Sequence, residues 1–198
     1  MVPVSLHAFI FVLQQLYYRY LSKKYENNNI KNVERLLSRL SSFSEDMSEL
    51  LINMLLKYGR AMDTADWSDG YLSLWQIIEA LTLVKDFRVE MKKLPQRMVN
   101  LIGFRDTILY KDLITGLAES RHLLVHEGRF SEEGFDDFQM LKHVVEMGIE
   151  ALFQRAKDFP TRQSLEDFYI NTKEAHDLVL YNRLKVIQKI LDYRKTQT

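Results

Sequence analysis

Apolar residues recur at three- and four-residue spacing along most of this chain, and strand-like alternation is absent. Leu6, Phe9, Ile10, Leu13, Leu16, Tyr17, Tyr20 and Leu21 mark an amphipathic helix over about Val4 to Lys24, closed by Asn27-Asn28-Asn29. A second pattern runs through Val33, Leu37, Leu40, Met47, Leu51, Met54 and Tyr58 at near-heptad spacing. Ser41, Ser42 and Ser44 interrupt it, so it is one long helix or two with a joint near residue 43. Ser44 suits an N-cap, with Glu45 and Asp46 in the first turn.

Asp63 to Gly70 reads as a polar loop, followed by a helix over Tyr71 to Val84 with Leu74, Ile77, Ile78 and Leu81 inward. Glu79 falls within that apolar set. Lys85 to Pro95 is a charged connection, with Pro95 in the first turn of a short helix that ends near Gly103. The next helix spans about Asp106 to Val125, with Gly128 just past its end. Another runs from Phe135 to Lys157, with Phe138, Leu141, Val145 and Leu152 on one face. Pro160 breaks it, and Thr161 or Ser164 caps the next piece. A last helix carries Leu180, Leu184, Ile187 and Leu191. The pattern predicts a single all-α domain over residues 1–198.

Composition narrows the function classes. With 198 residues the chain can bury a core without covalent staples, and its 7 glycines and 3 prolines suit helices. It has no cysteine, which excludes disulfides, thiolate metal sites and a cysteine nucleophile. The 27 basic and 27 acidic residues balance, so any nucleic-acid contact must come from a local patch. The apolar run Ala8 to Leu13 is short and lacks a leading positive cluster. We read it as a buried helix face, with no membrane span and a cytoplasmic location.

Chemistry concentrates in Ala118 to Arg129, where Arg121, His122 and His126 fall within six residues. On a straight helix Arg121 and His126 are about 140° apart. They meet only if the helix ends between them or a second protomer brings its own copy. Such a set suits RNA phosphodiester cleavage. A histidine titrating near pH 6.5 serves as base for the ribose 2′-hydroxyl or as acid for the departing oxygen, and arginine forks onto phosphate.

Other readings of these residues stand beside that one. His126 follows Leu123-Leu124-Val125, as a structural histidine at a helix end does. Arg121 fits an ion pair with Glu79, since a glutamate in an apolar face needs a partner. Glu119, His122 and His126 stand at i, i+3 and i+7, one face that suits a metal poorly, because a single helix seldom surrounds an ion. Tyr17, Tyr18, Arg19, Tyr20, Lys23, Lys24 and Tyr25 interleave rings and charge, mostly as packing. Arg88, Lys92, Lys93 and Arg97 form a basic cluster of the kind common in solvated loops. His7, His143 and His176 read as structural.

Arg121-His122-Leu-Leu-Val-His126 resembles the signature of the HEPN superfamily: an arginine, a polar residue, then a histidine after four to six intervening residues. "LWQIIEALTL" (Leu74 to Leu83) and "LLVHEGRF" (Leu123 to Phe130) are similar to the flanks of the ApeA-like HEPN group. The likeness covers about residues 47–157, leaving helical extensions over 1–46 and 158–198. A histidine stands where asparagine more usually follows the arginine.

The resemblance implies a HEPN-type helical bundle with added N- and C-terminal helices. It also implies a homodimeric endoribonuclease that needs no metal or cofactor, of a toxin or phage-defence kind, with an antitoxin or other protein as a possible partner. Carried over by position, Arg121 binds phosphate, His126 is the general acid/base and His122 holds the polar position. Glu79 and Glu119 are supporting residues, and Arg129, Lys92 and Lys93 are candidates for RNA contact. The alternative implied is a non-catalytic HEPN module that binds RNA, a nucleotide or a protein.

Overall fold

The computed structural model describes residues 38–83, 91–103, 107–128, 134–173 and 177–195. The expected helix over Val4 to Lys24 and its tyrosine-rich end lie outside them, as do Arg88, Arg129, His7 and His176. The described residues are helical with no strand, in the order α1 (Glu45–Asp63), α2 (Trp67–Thr82), a 3-10 turn (Met91–Lys93), α3 (Leu94–Ile102), α4 (Thr107–Glu127), α5 (Gly134–Gln154), α6 (Arg162–Lys173) and α7 (Asp177–Lys195).

The joint near residue 43 is present: residues 41–44 are non-helical and α1 starts afresh behind Ser44. Ser44 occupies the cap position but does not cap the backbone. Its hydroxyl donates to the Asp46 carboxylate, which chiefly accounts for an Asp46 pKa below the usual range. Its N–H donates to the Pro160 carbonyl at 2.8 Å, tying the start of α1 to the turn before α6.

Helix α2 begins at Trp67, four residues before the expected start at Tyr71. Asp66 accepts the Ser68 N–H at 2.7 Å, so half of the presumed polar loop is a capped first turn. Trp67 rests 5.1 Å from the ring of buried Phe138, a tertiary contact that local pattern cannot show. Pro95 lies in the first turn of α3, and Gly103 ends it at φ +76°, a conformation that favours glycine. Gly128 ends α4 likewise at φ +63°. Before α6, Thr161 and Ser164 exchange hydrogen bonds: the Thr161 hydroxyl accepts the Ser164 N–H at 3.0 Å, and the Ser164 hydroxyl accepts the Thr161 N–H at 3.1 Å.

One hydrophobic core runs from Phe43 to Tyr169. Helices α1, α3, α4 and α5 surround α2, whose Tyr71, Leu74, Trp75, Ile77, Ile78 and Leu81 are all buried. Gly70 lets α5 come close: a Cβ there would meet Phe138 at 2.8 Å and the Ala61 carbonyl at 3.1 Å. Helix α6 belongs to the same core through Leu165 and Tyr169.

Arg97 corrects the reading of a solvated basic cluster. It is 5% exposed and bonds bidentately to Glu166, at 2.9 and 3.1 Å. Its Nη1 also donates to the Thr82 carbonyl at 2.6 Å, and the guanidinium lies over the Tyr169 ring at 5.0 Å. A buried charge persists only when paired and hydrogen-bonded in this way. No helix among the described residues is long and apolar enough to cross a membrane.

Candidate functional site

Helix α4 carries Arg121, His122 and His126. Ile114 and Leu117 on it are buried, and Arg121 follows Leu117 by four residues on the same face. The inward stripe of α4 therefore turns polar at Arg121. It meets α2 there, because Tyr71, Trp75 and Glu79 recur every four residues and form a matching stripe.

Arg121 and Glu79 are in ion-pair contact, Nη2 to Oε1 at 3.7 Å, with 29% and 25% of their side chains exposed. That is longer than a hydrogen bond. Glu79 Oε1 instead accepts the Trp75 indole N–H at 2.9 Å. Arg121 Nε is buried with no hydrogen-bond partner. Below the pair, the Tyr71 hydroxyl donates to the Leu117 carbonyl at 2.6 Å, and burial, then the Asp137 charge, pushes its pKa up. Ser120 donates to Asp137 at 2.7 Å and so fixes α4 against α5. Sequence reasoning missed Tyr71, Trp75, Ser120 and Asp137 as supports; the four-residue spacing of Tyr71, Trp75 and Glu79 was the available signal.

His122 and His126 are exposed and stack on each other, ring centroids 4.4 Å apart at 49°. Helix α4 runs unbroken through both to Glu127, so it does not end between Arg121 and His126. Within one protomer they stay about 140° apart around the axis. Of the two ways to unite them, only a second copy remains.

Glu119 is exposed on the histidine face, and among the described residues no group of three His, Asp or Glu is placed to hold a metal ion. Lys92 and Lys93 sit in the 3-10 turn before α3, on a different element from the histidines. His143 is exposed on α5. Helix α4 also exposes Ile108, Leu109, Leu123 and Val125, so its apolar residues are not confined to the core side. No family model, no characterised protein and no solved structure matches the chain, so the function must be read from the two polar turns of α4.

Proposed function

We propose that the protein is a metal-independent endoribonuclease of HEPN type, acting as a homodimer whose copies meet along the outer face of α4. Arg121 carries the reading. Its Nε lacks an acceptor, and its Nη2 stands beyond hydrogen-bond length from Glu79. The Arg121 side chain is 29% exposed, so a phosphate oxygen can approach the Nη2 that Glu79 leaves beyond hydrogen-bond length. Exposed His122 and His126 lie within about one and a half further turns of the same helix. Exposed Leu123 beside them gives the second copy an apolar surface to cover.

The mechanism follows from the chemistry of the groups. Two-fold symmetry supplies two His126 and two Arg121. One imidazole takes the proton of the ribose 2′-hydroxyl as its oxygen attacks phosphorus. The P–O5′ bond breaks, and the second imidazolium gives its proton to the departing oxygen. The guanidinium groups hold the phosphorane oxygens. The products carry a 2′,3′-cyclic phosphate and a 5′-hydroxyl. Glu79 orients Arg121, and Arg129, Lys92 and Lys93 are proposed to contact the RNA strand.

The test is incubation with labelled single-stranded RNA in EDTA. Cleavage that persists, and disappears in both Arg121→Ala and His126→Ala, supports the proposal; undiminished cleavage by His126→Ala removes it. The Arg121–Glu79 pair favours a second reading, because a carboxylate there competes with phosphate. In that reading the protein is a non-catalytic module for RNA, a nucleotide or a protein. Binding without cleavage, lost in Arg121→Ala, selects it.

A further inference from the structure

Two apolar surfaces have no cover within the described bundle, and their charges are opposite. One is at the N-terminal ends of α2 and α5. Trp67 and Phe135 meet edge to face, centroids 4.9 Å apart, and are 46% and 51% exposed. Trp67 is braced from beneath by buried Phe138, so this aromatic knob is held in place rather than loose. Exposed Asp66, Asp69 and Asp136 adjoin it in sequence. First-turn carboxylates suit the helix dipoles, and the rings pack α2 on α5, yet about half of each ring residue stays open to water.

The other surface is α7. Every described residue from Tyr181 to Lys195 is exposed, including Leu184, Ile187, Ile190 and Leu191. The same stretch carries Arg183, Lys185, Lys189, Arg194 and Lys195 against a single acidic residue, Asp192. An amphipathic helix of this kind seeks an apolar seat with a negative rim. Anionic lipid or RNA would neutralise α7 but leave the Trp67–Phe135 rings and their neighbouring carboxylates uncovered. A basic helix is the occupant that satisfies knob and rim together.

We propose that α7 of one copy docks on the Trp67–Phe135 face of a second copy, and that the exchange is reciprocal. The root of α7 lies far from its own knob. Arg183 is held to Asn171 of α6 at 2.9 Å, and α6 sits at the start of α1, where Arg162 donates to the Asp46 carbonyl at 3.0 Å. The knob lies past the other end of α1, about 28 Å away at 1.5 Å per residue. Reciprocal docking closes a two-fold dimer with no strap left over. Asp137, next to Asp136, bonds Ser120 beside Arg121, so a docked strap would hold the second copy near the end of α4. The exchange stands without the nuclease reading, since neither Arg121 nor His126 takes part in it.

The chain has two tryptophans, and Trp75 is buried, so acrylamide quenching of the full-length protein reports Trp67. Trp67 should be shielded at high protein concentration and become quenchable on dilution. In Leu184→Asp/Ile187→Asp it should be quenchable at every concentration. Both changes fall on exposed residues, so helicity by circular dichroism should hold. Lys185→Glu/Lys189→Glu should weaken the dimer about tenfold or more by sedimentation. Adding Asp69→Lys/Asp136→Lys in the same chain should restore it. Equal quenching in wild type and the α7 variant overturns the proposal. So does shielding that ignores dilution, which would place α7 on its own copy, and so does a charge reversal that fails to rescue.

Discussion

Glu166→Ala strands a guanidinium that the fold has taken out of water. Arg97 is 5% exposed and Glu166 7%, and their paired bonds of 2.9 and 3.1 Å are the main compensation for burying both charges. With Glu166 gone, Arg97 retains the Thr82 carbonyl at 2.6 Å and the face of Tyr169. Removing one partner of such a pair costs about 3–5 kcal/mol. With a urea slope of about 2 kcal/mol/M, the unfolding midpoint falls by roughly 2 M. Arg97→Met/Glu166→Leu replaces both charges with apolar volume and should lie within about 1 kcal/mol of wild type or above it. Urea unfolding followed by circular dichroism gives all the numbers. If Glu166→Ala stays within about 1 kcal/mol of wild type, the claim that this pair fastens α6 to α3 is wrong.

Other outcomes follow from the same geometry. Gly70→Ala adds a methyl against Phe138 at 2.8 Å and the Ala61 carbonyl at 3.1 Å. Overpacking of about 1–3 kcal/mol outweighs a helix-propensity gain of about 1, so urea unfolding should show a net loss; a gain would mean α2 and α5 can part freely. Burial raises the pKa of Tyr71 and of Tyr169, whose hydroxyls bond the Leu117 and Leu81 carbonyls at 2.6 and 2.9 Å. Their contribution is therefore complete below the unfolded value of about 10 and declines as pH rises above it. The urea midpoint should fall above pH 10, and Tyr169→Phe should flatten that fall. Glu79→Gln should leave stability within about 1 kcal/mol, because the pair with Arg121 is partly exposed. It should weaken RNA binding measured by fluorescence anisotropy, because Glu79 orients Arg121; tighter binding would mean that the carboxylate only competes with phosphate.

Helix periodicity was legible wherever an apolar stripe faced one core, as in Met47, Leu51 and Met54 or Phe138, Leu141 and Val145. Gly103 and Gly128 marked helix ends because only a left-handed residue closes them cheaply. The start of α2 was not legible, since Trp67 gains its place from Phe138, far along the chain. Nor was the burial of Arg97: an arginine near Lys92 and Lys93 looks solvated, and its partner lies 69 residues away. At the candidate site, Glu79 in an apolar face did announce a cation, and Arg121 is beside it. Whether α4 broke before His126 could not be read, because Leu123, Leu124 and Val125 suit a continuing helix as well as a terminal one.

The most direct test of a site shared between two copies is a mixing titration. Wild-type protein is equilibrated with increasing His126→Ala protein at fixed total concentration, and metal-free RNA cleavage is followed. If each site needs a histidine from both copies, activity falls as the square of the wild-type fraction. Activity that falls only in proportion to that fraction would mean each copy works alone, and the shared site would be lost.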